Sequence, residues 1–412
     1  MERGVELMCD RCNRRFLPGD PLPRSQRNDL QSTDGAVETH SCLSHARLTF
    51  DCDSLFASPV AIAEKPDSIW EYLPLLPVAG TKPVTLGEGG TDCITAERLG
   101  DELGIDLRLK LEGQQPSGST KDRGSAVLAT YAREHGHETI ACASTGNAAA
   151  SIAAYAARAG LGCRLFVPEN TPQTKAVQPE IYGATVTRVP GSYGDAYEAC
   201  AETVAAEGWL DRSAGASPFT AAGAATLGLE LAGQCPTADW VVIPMGNGGT
   251  LAGAWIGLHL ASQLATSETA PRLLGVQTQA ATTIHDAFQT RDSTTLNDQD
   301  SQNTGPASFE TCADSIAVRE PHRLREACQA LTESEGTTVL VPEDDIFESI
   351  HRLGQTEGLF AEPASAAVIA GIQQARERAI IDASETVVGV ITGSGLKDAA
   401  TAQAALEYAK KP

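Results

Sequence analysis

From Pro74 onward, short and nearly unbroken apolar runs alternate with longer alanine-rich stretches. The apolar runs predict strands at Leu107–Glu112, Thr139–Ser144, Cys163–Pro168, Thr185–Pro190, Asp239–Met245, Arg272–Gln277, Thr337–Val341 and Thr386–Thr392. Between most of them lie segments of helical length and composition, such as Lys121–His135, Asn147–Ala159, Tyr193–Ala206 and Thr250–Leu264. Strands that are apolar on both faces and separated by helices belong to parallel sheets covered on both sides. The pattern therefore predicts an α/β fold. Residues 1–70 lack the rhythm and are rich in Arg, Asp, Ser and Pro, which marks them as a separate extension. Thr290–Ser308 is polar and turn-rich, and is expected to be a surface insertion or loop. No short-period repeat is present.

With 412 residues there is room for two or three domains, and 42% apolar against 20% charged residues describes a folded chain. The net charge of −22 argues against a nucleic-acid binder and against a surface drawn to anionic lipid. No apolar run is long enough to cross a bilayer, and MERGVELMCD has no signal-peptide core, so a soluble, cytoplasmic protein is expected. Only eight lysines stand against 23 arginines, with acidic residues well in excess of both. Such a surface suits a halophilic source, where screening removes self-repulsion. The eleven cysteines are mostly scattered singly in apolar segments (Cys142, Cys163, Cys200), as small core residues rather than disulfide partners.

Four motifs carry chemistry. In Pro116-Ser-Gly-Ser-Thr-Lys121-Asp-Arg-Gly124, a lysine sits at a glycine-bearing strand-to-helix junction. The P-loop spacing is absent, which leaves a Schiff-base lysine or a merely solvated one. Ala143-Ser-Thr-Gly-Asn147 opens a helix, where backbone amides suit a carboxylate, though Ser, Thr and Asn are also ordinary caps. Pro244-Met-Gly-Asn-Gly-Gly-Thr250 lets backbone approach a single phosphate at a helix start, without the dinucleotide spacing. Val390-Ile-Thr392-Gly-Ser-Gly-Leu-Lys-Asp398 places a neutral hydroxyl at a strand end, where it could meet a ring nitrogen or simply cap a turn. All four fall at the carboxyl ends of predicted strands, where open α/β sheets bind ligands.

In order and wording these motifs resemble the fold-type-II pyridoxal-phosphate enzymes of the tryptophan synthase β-like superfamily, and most closely the threonine synthase family. Leu86-Gly-Glu-Gly-Gly-Thr91, Val167-Pro-Glu-Asn-Thr-Pro172 and Glu362-Pro-Ala-Ser-Ala366 extend the match, which spans Pro83 to Asp398. The resemblance implies two open, twisted parallel-sheet domains, a small one over 121–222 and a large one over 71–120 and 223–412, in a homodimer. It implies that Lys121 forms the Schiff base with pyridoxal 5'-phosphate and shuttles protons. Asn147 would bond the ring hydroxyl, and Ser144, Thr145 and Gly146 would hold the substrate carboxylate. Gly246, Asn247, Gly248, Gly249 and Thr250 would cradle the cofactor phosphate, and Thr392 would meet the pyridine nitrogen. A hydroxyl in that last place is expected to leave the ring nitrogen largely unprotonated, unlike an aspartate partner.

The chain departs from the family in two places. The family's leaving-phosphate site draws on Asn-Pro-x-Arg followed by Gly-Gln-Lys-Thr. The matching stretches here are Ser217-Pro218-Phe219-Thr220 and Gly223-Ala-Ala-Thr226, so the arginine becomes Thr220 and the lysine Ala225. Arg123, Lys397 or Arg319 are candidates to supply the missing charge. In the extension, Cys9-Asp-Arg-Cys12 and Cys52 resemble an eroded zinc ribbon, with Cys42, His40 or His45 as substitutes for the lost ligand. The expected reaction is that of a threonine synthase, a lyase turning O-phospho-L-homoserine and water into L-threonine and phosphate. The alternatives are β-elimination from threonine or serine by an ammonia-lyase, and a non-catalytic paralogue that binds cofactor or amino acid.

Overall fold

The computed structural model describes residues 5–9, 14–18, 20, 26–27, 39–40, 46–50, 62–264, 270–290 and 311–408. In the extension, β1 (Val5–Cys9), β2 (Arg15–Phe16) and β5 (Ala46–Phe50) form a three-stranded antiparallel sheet. β3 (Gln26–Arg27) pairs with β4 (Thr39–His40). Cys9 faces Ala46 across the β1–β5 ladder, whereas Phe50 faces Val5 at its other end. Cys12, Cys42, His45 and Cys52 lie outside the described residues, as does the insertion beyond Thr290, which itself ends the helix Thr283–Thr290.

The chain divides into two compact units. One comprises Met1–Ala61, Asp67–Gly89 and Lys121–Thr226; the other comprises Ile62–Pro66, Gly90–Thr120 and Leu227–Pro412. The second holds β6 (Cys93–Thr95) and β7 (Asp106–Leu111), and the first holds β8 (Thr139–Ala143), β9 (Gly162–Pro168), β10 (Thr185–Val189) and β11 (Leu210–Asp211). The first unit's sheet has the order β10-β9-β8-β11, parallel throughout. Its core takes Leu7 and Phe16 from the extension together with Val127, Leu128, Ile152 and Tyr155. The helix Lys121–Glu134 is buried from Asp122 to Ala132. Its close approach to the helix starting at Pro218 depends on glycine, because a Cβ at Gly223 would lie 2.4 Å from the Arg123 carbonyl.

The second unit adds β12 (Trp240–Pro244), β13 (Arg272–Thr278), β14 (Thr337–Val341) and β15 (Thr386–Ile391). Its six-stranded sheet runs β14-β13-β12-β15-β7-β6, parallel except for the edge strand β6. All five residues of β12 are buried, as a parallel strand covered on both faces requires. The buried helix Pro363–Glu377 covers part of this sheet through Val368, Ile369 and Ile372, in one cluster with Val242, Leu274, Val276 and Val387. Among the described residues no helix is long and apolar enough to cross a membrane.

Candidate active site

In the second unit β12 and β15 are parallel neighbours in the middle of the sheet, with β13 and β14 on one side and β7 and β6 on the other. The carboxyl ends of parallel strands are the usual ligand position in open α/β sheets. The glycine loop leaves β12 there, and Thr392 leaves β15 there.

The loop is shaped by backbone contacts. Gly248 has φ of +81°, and a Cβ on it would stand 2.8 Å from the Arg323 carbonyl oxygen. A Cβ on Gly246 would come within 2.5 Å of the Ser315 carbonyl oxygen. Asn247 is pinned as an acceptor: its carbonyl takes the Arg323 N–H at 3.0 Å and its Oδ1 the His322 N–H at 3.3 Å. The helix Gly249–Leu264 starts at once, so its first-turn N–H groups and positive dipole end belong to this loop. Backbone N–H groups arranged in this way can hold a small anion.

Thr392 lies beside three further groups. Its Oγ1 is 3.0 Å from Ser365 Oγ and 3.3 Å from Glu362 Oε1. Its carbonyl accepts the Thr120 N–H at 2.9 Å, and Ser394 N–H donates to Gly118 O at 2.9 Å. The segment immediately before Lys121 is thereby fastened to the Thr392 turn, with Ser119 bridged to Gly393. Ser119 Oγ is fully buried there without a protein hydrogen-bond partner. A buried hydroxyl without a partner is costly unless a ligand or water completes it. With the glycine cradle, it makes this end of the sheet fit a phosphorylated heterocycle such as pyridoxal phosphate. Lys397 Nζ is engaged with Ser117 O at 2.9 Å, which ties it to the same segment.

In the first unit, β8 sits between β9 and β11, and the chain leaves its end towards β9. Ser144, Thr145 and Gly146 follow β8, and Asn147 begins the helix Asn147–Ala159. No side chain caps that helix; Gly146 is its N-cap, and Ser144 Oγ accepts only the Gly146 N–H at 3.3 Å. The ordinary-cap alternative open in the sequence is therefore not what the turn does. Lys121 begins its own helix and is half-buried. Arg123 is wholly buried, and its guanidinium donates to Thr226 Oγ1 at 3.0 Å. Thr220 donates its hydroxyl to Ser217 O at 2.9 Å, and Ala225 is buried.

Some roles were not visible in the motifs. Glu88 of the Leu86–Thr91 motif is a structural hub, accepting from Trp70 Nε1 at 2.6 Å and Tyr155 OH at 2.9 Å. Glu362 and Ser365 were legible as a motif without a role, and only the fold brings them to Thr392. Cys142, Cys163 and Cys200 are buried, and burial pushes the Cys142 and Cys163 thiols up to about 12. Among the described residues no cluster of His, Cys, Asp and Glu could hold a metal.

Glycine-bearing and hydroxyl-bearing turns at the carboxyl ends of parallel strands are the setting in which α/β enzymes bind phosphorylated ligands. The chain belongs to the family of pyridoxal-phosphate dependent enzymes, whose model matches residues 84–393. It is 34% identical to a threonine synthase of Methanocaldococcus jannaschii over 89% of this chain and 90% of that protein. A threonine synthase of Mycobacterium tuberculosis is 35% identical, covering 82% of this chain and 90% of its own length. Among solved structures, the processed form of threonine deaminase isoform 2 from Solanum lycopersicum has a TM-score of 0.66 at 24% identity, over 77% of this chain and 83% of that one. A fungal L-serine ammonia-lyase from Rhizomucor miehei has the same TM-score at 19% identity, over 78% and 98%. At those identities the structures speak for the fold alone.

Proposed function

We propose that this enzyme is a threonine synthase, converting O-phospho-L-homoserine and water to L-threonine and phosphate. The observation that carries this reading is the similarity to threonine synthases, 34% identity over 89% of this chain and 35% over 82%. Pyridoxal phosphate, when bound, supplies an electron-accepting ring for carbanion chemistry at an amino acid's α-carbon. Gly246, Asn247, Gly248, Gly249 and Thr250 would hold its phosphate, Asn147 its ring hydroxyl and Thr392 its ring nitrogen. Lys121 would hold it covalently, and its amine would take up the substrate's Cα proton and return protons to the side chain. Ser144, Thr145 and Gly146 bind the substrate carboxylate through N–H and hydroxyl groups at an uncapped helix start.

The test is direct. Purified protein in concentrated potassium chloride with pyridoxal phosphate receives O-phospho-L-homoserine, and phosphate and threonine are both quantified. Equal release of the two is expected, and Lys121→Ala is expected to abolish it. Thr220 and Ala225 favour a second reading, because neither brings the positive charge with which an arginine or lysine holds a leaving phosphate. On that reading the same protein releases ammonia from L-threonine or L-serine and leaves phosphohomoserine untouched.

We also read the extension as a zinc ribbon that has lost one of its usual cysteines. Its ligands on this reading are Cys9, Cys12 and Cys52, with Cys42, His40 or His45 in place of the lost one. Elemental analysis of the purified protein is expected to find zinc that is lost in Cys9→Ser. Zinc retained in that variant, or absent from the wild type, would reject this reading.

A further inference from the structure

Cys93 and Cys235 stand 142 positions apart in sequence, and their sulfurs lie 3.0 Å from each other. Neither belongs to the cofactor or substrate sites described above. Cys93 opens the edge strand β6, where it pairs with Lys110 of β7. Two positions on, Thr95 pairs with Arg108, so Cys93, Lys110 and Arg108 share one face of the sheet. From that face Lys110 reaches Glu230 and Gln234 in the last turns of the helix Pro218–Gln234. Cys235 is the next residue, and its N–H still donates to the Leu231 carbonyl at 2.8 Å. The two thiols are thus brought together by a strand and a helix end that a buried ion pair already joins. Cys235 is buried, whereas Cys93 is partly open to solvent.

The setting also favours reaction at sulfur, because a thiol beside cations gives up its proton more readily than a lone one. The hydrogen bond from Cys93 pulls the Cys235 thiol down to about 7, against burial, and Arg108 and Lys110 pull the same way. The same bond holds the Cys93 proton in place. The singly buried Cys142 and Cys163 are pushed the other way, as inert core thiols are.

We propose that Cys93 and Cys235 form a dithiol that hydrogen peroxide converts to a disulfide, locking the edge strand β6 to the end of the helix Pro218–Gln234. One sulfur, as thiolate, attacks a peroxide oxygen. An S–O bond forms, the O–O bond breaks, and the departing hydroxide takes the other thiol's proton and leaves as water. The second sulfur then attacks the first, so that an S–S bond forms and the S–O bond breaks. The hydroxide released there takes up the proton that the first thiol had lost, giving a second water. Each sulfur loses one electron, and the peroxide gains both. From 3.0 Å the sulfurs have about 1 Å to close before they reach disulfide length. The bridge would close a loop that contains Lys121 and all of 121–226. So long a loop has much freedom to lose in the unfolded chain, so the oxidised protein should resist unfolding.

The test treats the full-length protein with hydrogen peroxide, alkylates the remaining thiols and maps the digest by mass spectrometry. A Cys93 peptide joined to a Cys235 peptide is expected, lighter by two hydrogens than the pair, and dithiothreitol is expected to part them. Mapping separates this bridge from any among Cys9, Cys12, Cys42 and Cys52. On denaturing electrophoresis without reductant, the looped chain is expected to run ahead of the reduced one, and Cys93→Ser to lose that band. Oxidation is expected to raise the melting temperature by several degrees in the wild type and not in Cys93→Ser. Cys93 and Cys235 recovered on separate peptides after peroxide, alkylated or over-oxidised, overturn the proposal. A bridge that forms without raising the melting temperature overturns the locking of β6.

Discussion

Lys110 is buried completely, and its ammonium makes three short contacts: Glu230 Oε2 at 2.6 Å, Thr91 O at 2.7 Å and Gln234 Oε1 at 2.7 Å. Its three protons are matched by three acceptors, which is how a charge survives in a core. Glu230 accepts in addition the Gly90 N–H at 3.1 Å, so the pair anchors the turn at Gly90–Thr91. Removing one partner strands the other. Lys110→Met is expected to cost about 3–5 kcal/mol in denaturant unfolding, and the double replacement with Glu230→Leu less than that. A loss below about 1 kcal/mol in the single variant would mean that Glu230 finds solvent or a proton without unfolding the site. Nothing in the sequence marks this pair. Lys110 stands in a strand otherwise read by its apolar neighbours, and its partner is 120 positions away.

Strands buried on two faces are legible as apolar runs, and the edge strand β10 was legible without burial through its β-branched residues. β12 and β15 lie in the middle of their sheet and are buried almost throughout, so sequence and structure agree there to within a residue. β6 has three residues, none of them buried, and pairs antiparallel at the sheet edge, where a strand has no apolar signature to show. β11 has two residues and owes its position to pairing with β8, a long-range contact. The same division holds for the candidate site. Glycines and hydroxyls at strand ends could be read in order along the chain, because each turn needs them locally. The meeting of Glu362, Ser365 and Thr392 could not, since it depends on two turns, about thirty residues apart in sequence, closing on each other. The close approach of two helices at Gly124 and Gly223 is equally silent. A glycine inside a helical run reads as a weakness until its neighbour is known, and here a Cβ on Gly124 would meet Thr220 Cα at 2.9 Å.

On the scale of the whole molecule, the charge of −22 is the property with the widest reach. Like charges spread over one surface repel one another and oppose the compact state. They also raise the energy of an approaching anionic substrate, and O-phospho-L-homoserine carries a phosphate. Both effects weaken as ions accumulate, since the Debye length falls from about 10 Å at 0.1 M salt to about 3 Å at 1 M. Lysine is the residue that a dilute-cytosol surface would use to balance acids, and only eight are present. Buried pairs such as Lys110–Glu230 are shielded from solvent ions and are expected to hold at any salt. The melting temperature is therefore expected to rise steadily as potassium chloride is raised from about 0.1 M to about 2 M, most of the gain coming early, where the Debye length changes most. Sodium chloride at equal ionic strength is expected to give nearly the same curve, because screening depends on ionic strength rather than on a bound cation. A melting temperature that stays flat or falls would mean that the acidic groups are too far apart to repel and that the surface is adapted to something other than salt. A rise with potassium alone would replace screening with specific cation binding.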